Sequence, residues 1–380
     1  MTTPQPCRSL YVHVPFCRSL CGYCDFYSQV LEPARVGPFV DAVGRELTGY
    51  AVGRELRFDT IYIGGGTPTV LPATELARLL AGLRGFSACE TELEFTVEAN
   101  PATISDEVAG VLAAAGVNRV SLGAQSFAPA ELRTLERLHR PEQVGQTVAQ
   151  CRRRGIQQIS LDLMFGIPGQ TLGSWLRSLC AALAVQPDHL SCYALTYEPG
   201  TPLRARLDDG RVQRVDEDLE AEMYEAALDV LPAAGLAHYE VSNFARPGAA
   251  CRHNLRYWHN EPHLGLGPAA AGFVDEVRYK NVADTAAYVL AIQAGRSPWS
   301  EQERLPPERR ARETAMLELR LTAGIDRQRF KQRYAEDPAL LFAAAIERHG
   351  ADGLLTSDET SIRLTRAGFL LADRVIADFL

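Results

Sequence analysis

The stretch "SLYVHVPFCRSLCGYCDFYS", residues 9–28, joins a strand pattern to three closely spaced cysteines, Cys17, Cys21 and Cys24. The spacing C-x3-C-x2-C is not that of a zinc finger, because no second Cys/His pair follows at finger spacing. Tight groups of thiolates suit iron–sulfur clusters, which normally take four cysteines. Three protein ligands would leave one iron open to an exogenous ligand. The motif therefore indicates such a cluster or, alternatively, a zinc site with a distant fourth ligand.

Five more apolar runs of strand length follow along the chain, separated by helical patterns. We predict strands over residues 9–14, 59–64, 93–99, 119–124, 158–166 and 189–195, and one more over 237–245. Strands that alternate with helices form βα units around a parallel sheet. Because the crossovers are right-handed, six such units curl toward a barrel. The predicted fold class is α/β, an incomplete parallel (βα)6-type barrel.

Polar motifs stand where these predicted strands end. "GGGTPT" (64–69) follows the second strand, and Glu98, Gln125 and Asp162 end later ones. The carboxyl ends of barrel strands carry the active site. The glycines would let a ligand approach the backbone and bind its N–H groups. Arg137 is a further candidate at the barrel mouth, although a surface or capping role on its helix is the alternative.

Composition sets limits on the remaining functions. The chain has 380 residues, 46% of them hydrophobic, and a net charge of -8, which gives no electrostatic footprint for nucleic acid or anionic lipid. The sequence shows neither a signal peptide nor an apolar window of membrane-helix length, so we expect a cytoplasmic protein. Nine cysteines in such a compartment argue against a disulfide framework. The six outside the motif are interpreted as small core residues.

Three regions are predicted along the chain. Residues 1–245 form the barrel, residues 246–300 an extension, and residues 301–380 a small α+β domain. The last region combines helices with a short hairpin, which indicates a winged-helix-like module. It has no basic stripe, so we predict no nucleic-acid binding.

The cysteine motif followed by "GGGTPT" and polar strand ends resembles the radical S-adenosylmethionine (SAM) superfamily. The resemblance implies a radical SAM barrel in which Cys17, Cys21 and Cys24 bind a [4Fe-4S] cluster and SAM chelates the open iron. Carried over by position, the implied SAM contacts are Tyr11, Tyr23, Gly65, Gly66, Thr67, Glu98, Gln125, Arg137 and Asp162. Some of these belong to a second SAM site in the coproporphyrinogen III oxidase of this superfamily, and whether a second SAM binds here stays open.

Within the superfamily, "YVHVPFCRSLCGYCDF", "IGGGTPT", "SLGAQSF", "DLMFGIPGQ" and "HYEVSNFA" resemble the group that is similar to oxygen-independent coproporphyrinogen III oxidase. The oxidase carries a fourth cysteine where this chain has Phe26, and a longer N-terminal arm. Both departures favour the sister family of haem chaperones. "HNLRYW" (253–258) resembles the haem-binding motif of that family, which implies haem contacts at His253, Tyr257 and Trp258.

Physically, an imidazole can ligate iron, and Tyr and Trp offer flat apolar area to a porphyrin. From spacing alone, an aromatic cluster around a hydrogen-bonded histidine is the simpler interpretation. His238, His259 and His263 are alternative or additional ligands.

The resemblance implies a chaperone that binds haem and delivers it to an apo-haemoprotein acceptor, such as a respiratory haem protein. The alternative is an oxygen-independent coproporphyrinogen III oxidase, which removes carboxyl groups from propionates by radical chemistry. Peripheral contact with a membrane-bound partner, a homodimer and the cleavage of SAM all stay open at this point.

Overall fold

The computed structural model describes residues 6–88 and 92–380, and the predicted strands fall within these ranges. The strands are β1 (Ser9–Val14), β2 (Phe16–Cys17), β3 (Gln29–Val30), β4 (Thr60–Gly65), β5 (Glu94–Ala99), β6 (Arg119–Gln125), β7 (Gln158–Phe165), β8 (His189–Ala194), β9 (Ala237–Glu240), β10 (Asn243–Ala245), β11 (Leu264–Leu266), β12 (Ala271–Val274), β13 (Val277–Asn281), β14 (Trp299–Glu303), β15 (Ile325–Asp326), β16 (Leu355–Ser357) and β17 (Ser361–Leu364).

Helices separate the strands of the first half and dominate the last quarter. They are α1 (Pro33–Ala51), α2 (Ala73–Arg84), α3 (Asp106–Ala114), α4 (Pro129–Thr134), α5 (Pro141–Arg153), α6 (Leu172–Ala184), α7 (Pro202–Asp208), α8 (Glu217–Ala233), α9 (Arg252–Trp258), α10 (Thr285–Gln293), α11 (Pro307–Glu318), α12 (Arg327–Tyr334), α13 (Pro338–Leu341), α14 (Ala343–Ala351), α15 (Arg366–Leu370) and α16 (Ala372–Ala377). A short 3-10 helix covers Pro68–Val70. Within the described ranges, no helix is both long and apolar enough to cross a membrane.

The central sheet confirms the α/β prediction. Its nine strands run in the order β11-β1-β4-β5-β6-β7-β8-β10-β9. The six predicted strands β1, β4, β5, β6, β7 and β8 are neighbours, and each pair is parallel. Edge strands β11 and β9 are not paired with each other, so the barrel is incomplete. Local signals mark the connections: the Ser105 hydroxyl accepts the Val108 N–H at the start of α3.

The predicted strand over 237–245 is two strands rather than one. β9 and β10 form an antiparallel hairpin, with Val241 and Ser242 at the turn. The buried carboxylate of Glu240 accepts the Ser242 N–H and the side-chain amide of Asn243, and so holds the turn. The turn carries no Gly or Pro signal, which is why the sequence pattern predicted one long strand.

The extension adds a parallel strand to the other edge of the sheet, since β11 pairs with β1. Gly265 of β11 lies so close to its own hairpin that a Cβ there would be 1.9 Å from the Ala271 oxygen. The module after α11 has a three-stranded sheet, β15-β17-β16, surrounded by short helices. This arrangement is winged-helix-like, as predicted. The division at residues 245 and 300 stays a prediction.

Three of the cysteines interpreted as core residues are buried, Cys151, Cys192 and Cys251. Cys7 is half-buried. For Cys180 the prediction is wrong, because this thiol is exposed on α6. Cys89 lies outside the described residues.

Candidate functional site

Local pairing shapes the cysteine loop at the mouth, the end of the barrel where the carboxyl ends of the parallel strands lie. β2 pairs with β3 directly beyond β1, so that Cys17 stands opposite Val30. This pairing closes the intervening segment into a compact loop that carries the other two thiols. All three cysteines are half-buried, and the Cys24 N–H donates to the Cys21 oxygen over 3.2 Å.

Two donors from other elements reach the thiols. The Arg137 guanidinium donates to Cys21 Sγ over 3.5 Å and to the Gly123 oxygen over 2.6 Å, so the β6 backbone fixes its position. The Thr67 hydroxyl donates to Cys17 Sγ over 3.8 Å. The alternative of a surface role for Arg137 is therefore wrong. Donors and a cation beside thiols stabilise thiolates, the form that ligates metal.

Burial works against those thiolates in the absence of a metal. It raises the pKa of Cys17 and raises the pKa of Cys24 to about 11. A bound cation would reverse this, because metal binding releases the thiol protons. Among the residues that the structure describes, no three His, Cys, Asp or Glu side chains converge as ligands of one ion. Cys17, Cys21 and Cys24 would serve as the thiolate ligands of an iron–sulfur cluster, whose ligands are spread over several iron atoms.

The glycine motif braces the cysteine loop. Gly66 N–H donates to the Val14 oxygen, and Thr67 N–H donates to the Phe16 oxygen. A Cβ on Gly65, which has φ +103, would be 2.5 Å from the His13 ring. A Cβ on Gly66 would be 2.6 Å from the Phe16 oxygen. The glycines therefore allow two backbone segments to approach closely, and these N–H groups bind the protein itself instead of a ligand as expected.

Below the cysteines lies the shaft, a cavity of about 450 Å³ inside the barrel. Two carboxyl groups from the barrel strands face it. Glu98 accepts the Tyr62 hydroxyl over 2.7 Å and the Gly65 N–H over 3.1 Å. Asp162 accepts the Ser121 hydroxyl. Burial raises the pKa of both groups, that of Glu98 to about 7.

The shaft brings together eight of the nine SAM contacts that the resemblance implies. They are Tyr23, Gly65, Gly66, Thr67, Glu98, Gln125, Arg137 and Asp162. Tyr11 lies on β1 beside the shaft, where its hydroxyl is hydrogen-bonded to His13 Nδ1 and its ring centroid is 6.3 Å from that of Tyr62. Tyr11 is absent from the lining of the shaft. Its role, like those of the other eight, stays a prediction.

The predicted haem motif lies at the opposite end of the barrel, which we call the floor. Helix α9 closes the amino-terminal ends of the strands there. His253 is 1% exposed, and both ring nitrogens are engaged: Nδ1 with the Thr60 hydroxyl and Nε2 with the Tyr257 hydroxyl, each over 2.8 Å. Tyr62 stacks on the imidazole at 5.2 Å. The pKa of His253 is lowered by burial and then by nearby His263 and Arg256.

A buried carboxylate anchors this helix. Glu94, the first residue of β5, accepts the N–H groups of Arg252 and His253, each over 2.8 Å. The Cys251 thiol also points at it, at 3.6 Å. At the other end of α9, the Trp258 ring lies under the Arg320 guanidinium at 4.9 Å. The motif is thus built into the floor and does not present its imidazole to an opening.

The three alternative histidines are engaged as well. His238 stacks on Phe244 at 4.8 Å. His259 is hydrogen-bonded to Arg329 over 2.8 Å. The ring of His263 packs edge-on against Tyr257 at 4.5 Å.

Sequence reasoning missed several partners of the site. Tyr62 and Ser121 hold the two strand carboxyl groups of the shaft. His13, which was expected to pack or orient beside the first cysteine, binds the Tyr27 oxygen within the cysteine loop over 2.8 Å. A signal for Tyr62 existed. Strand residues two apart share a face, so Tyr62 faces the same side as Gly64, beside Glu98 on the next strand.

The chain is similar to known proteins along its whole length. The family model of the radical SAM superfamily matches residues 11–179, and that of the HemN C-terminal domain matches residues 305–371. The protein named heme chaperone HemW from Bacillus subtilis is 36% identical over 98% of this chain and 99% of its own. The chain belongs to the HemW family.

Other relatives of this HemW-family chain span it equally. HemW of Mycobacterium tuberculosis is 37% identical over 98% of this chain and 94% of its own. The mitochondrial radical S-adenosyl methionine domain-containing protein 1 of Bos taurus is 33% identical over 98% and 87%. Among solved structures, coproporphyrinogen III oxidase (HemN) from Escherichia coli superposes with a TM-score of 0.87 at 24% identity, covering 99% of this chain and 91% of that one. That likeness confirms the radical SAM fold.

Proposed function

We propose that this protein is a haem chaperone of the HemW type, which binds haem and delivers it to apo-haemoproteins. The observation that carries the proposal is full-length similarity to relatives named heme chaperone, 36% identical over 98% of the chain in the case of Bacillus subtilis. A respiratory acceptor, a membrane-bound partner, a homodimer and a cytoplasmic location stay predictions.

The mouth suits the two cofactors that the superfamily implies. Cys17, Cys21 and Cys24 would hold a [4Fe-4S] cluster, with Arg137 and Thr67 donating to the thiolates. A bound cluster supplies one electron at a time, to the sulfonium when SAM is cleaved.

The shaft suits SAM because neither of its strand carboxyl groups forms an ion pair with any described residue, although Arg119 and Arg137 also line the shaft. Glu98 and Asp162 have no ion-pair partner among residues 6–88 and 92–380. A buried carboxyl group without a cation tends to stay protonated, as the raised pKa of Glu98 indicates. An amine or sulfonium in the shaft would complete the pairing. Tyr62 and Gly65 would keep Glu98 oriented toward it.

The haem contacts of His253, Tyr257 and Trp258 stay a prediction, and they would require a movement of helix α9. His253 Nε2 is occupied by the Tyr257 hydroxyl in a site that is 1% exposed. Iron could reach this nitrogen only after α9 had moved away from the floor. That movement would uncover Glu94 and the two N–H groups that it binds, so it carries the cost of buried groups left without partners.

The experiment uses anaerobically reconstituted wild-type protein, titrated with haem by absorbance and assayed for coproporphyrinogen III decarboxylation in the same samples. We expect stoichiometric haem binding and no decarboxylation. Decarboxylation above background would make the protein an oxidase instead.

The haem ligand is tested with His253→Ala and a matched control, Thr60→Val. Both variants break the same floor hydrogen bond, but only the first removes the imidazole. Loss of haem binding in His253→Ala alone would support iron ligation by His253. Equal effects in the two variants would assign His253 to the structure of the floor.

A further inference from the structure

Exposed apolar side chains gather around the mouth. Of the ten large hydrophobic residues that are exposed in the described part of the chain, Leu20, Phe26 and Leu138 line one outer cavity of about 660 Å³. They are 51%, 65% and 64% exposed. Val30 is exposed beside them, around a neighbouring pocket. Single exposed apolar residues are ordinary, but a group around one cavity marks a binding site.

This outer cavity opens from the shaft, and the two share residues 23–26 and 65–67 together with Asn100 and Arg137. Its outer wall is formed by loop residues that do not line the shaft, in the segments 17–21, 102–103, 136–143 and 199–202. The Leu203 N–H donates to the Gly22 oxygen over 2.7 Å and ties two of these loops together. Beneath them, Leu135, Met164 and Leu203 belong to a buried apolar cluster. The apolar side chains therefore stand on supported loops.

One cation at the rim has no acidic partner. Arg18 lines both the outer cavity and the pocket beside Val30. It is exposed and forms no ion pair with any residue in the ranges 6–88 and 92–380. An exposed guanidinium beside apolar side chains is complementary to a ligand with an apolar body and a carboxylate at its edge.

We propose that Phe26, Leu20 and Leu138 bind one face of haem at the barrel mouth, with Arg18 pairing with a propionate. This inference rests on the proposed haem chaperone function and assigns it a site. Haem is a flat apolar macrocycle with two carboxylates, which is complementary to exposed apolar side chains beside an exposed guanidinium. At this site Phe26 supplies an aromatic face two residues beyond Cys24. Haem would lie over the cysteine loop and not at the floor.

The site is tested by haem titration of the full-length, anaerobically reconstituted protein. The variant Phe26→Ser with Leu138→Ser removes the apolar contacts, and we expect its haem affinity to fall about tenfold or more. The matched control is Leu290→Ser, which changes a residue 61% exposed on α10 that lines neither the outer cavity nor the shaft. Cluster absorbance is recorded for each variant, so that loss of the cluster is not mistaken for loss of haem binding.

Arg18 is tested with a second probe, haem whose propionates are esterified. Arg18→Gln should weaken the binding of free haem several-fold and leave the binding of the dimethyl ester unchanged. Unaltered affinity in the double variant would overturn the site while leaving the chaperone function in place, and would point to protein docking at the patch instead. Absence of haem binding by the wild-type protein would overturn the function and, with it, the site.

Discussion

The two ends of the barrel are built on opposite principles. At the mouth, thiols are half-buried, apolar side chains are exposed, and Arg18 lacks an acidic partner among the described residues. At the floor, both ring nitrogens of His253 and both oxygens of Glu94 have partners. A buried hydrogen-bond network specifies structure, whereas exposed apolar side chains grouped around a cavity are typical of a binding site. The contrast predicts that mouth variants change binding and that floor variants change stability.

Cys21→Ser should abolish cluster binding at the mouth and leave the fold intact. Loss of one thiolate removes a cluster ligand, so the reconstituted variant should lack the visible absorbance of an iron–sulfur cluster. The free energy of unfolding of the cluster-free protein should change by less than about 1 kcal/mol, because the residue lies on a half-buried loop. Cys180→Ser, at an exposed thiol, is the control and should reconstitute normally. A variant that kept its cluster would remove Cys21 from the ligand set.

Glu94→Ala should have the reverse effect. The substitution leaves the buried N–H groups of Arg252 and His253 without an acceptor, so we expect a loss of about 2–4 kcal/mol in the free energy of unfolding. Denaturant unfolding measures it, and the cluster content should stay unchanged. Glu92→Ala is the control, since its side chain is exposed and its backbone oxygen still accepts from Arg252. A stable Glu94→Ala variant would contradict the description of the floor as a structural network.

The sequence predicted the residues of the mouth but not the position of the floor motif, and the difference has a physical cause. The mouth was predictable, because parallel strands bring their carboxyl ends to one side, so that motifs distant in sequence meet there. The location of "HNLRYW" was not predictable. The spacing of residues within one short helix does not show which end of a barrel the helix packs against. The partners Thr60 and Glu94 are the first residues of β4 and β5, and nothing in their local sequence distinguishes them.

The same reasoning explains the two smaller errors. The N–H groups of Gly66 and Thr67 were expected to face a ligand, but they bind the backbone of the cysteine loop. The glycine pattern shows that something approaches closely, but not what approaches. The hairpin of β9 and β10 was missed because its turn contains no Gly or Pro and is stabilised by Glu240, a buried side chain.

The carboxyl group of Glu98 in the shaft should make the free energy of unfolding depend on pH. Burial raises the pKa of Glu98 from 4.5 to about 7, so the folded state binds this proton more tightly than the unfolded chain does. Protonation therefore stabilises the fold, and stability falls as the pH rises from about 4.5 through about 7.

Glu98→Gln should reduce this loss of stability with rising pH. Between about pH 5 and pH 8, cluster-free wild-type protein should lose roughly 1–3 kcal/mol more stability than the variant does. Denaturant unfolding across this range measures the difference. Glu107→Gln, at an exposed position in the first turn of α3, provides the control. An identical pH slope in Glu98→Gln and the wild type would show that Glu98 is not the group responsible.

Tyr257→Phe should have the smallest effect on stability, and it tests directly whether His253 at the floor ligates haem iron. It removes the hydroxyl that binds His253 Nε2 and leaves the imidazole in place. We expect a loss of about 1 kcal/mol in the free energy of unfolding, the usual contribution of one hydrogen bond. Haem affinity should stay at the wild-type value, because Tyr62 still covers the ring and Glu94 still holds the helix. If Nε2 ligates iron, the variant removes a competitor for that nitrogen and haem affinity must rise. Haem titration of this variant therefore decides between the two ends of the barrel, since a mouth site is indifferent to a hydroxyl at the floor.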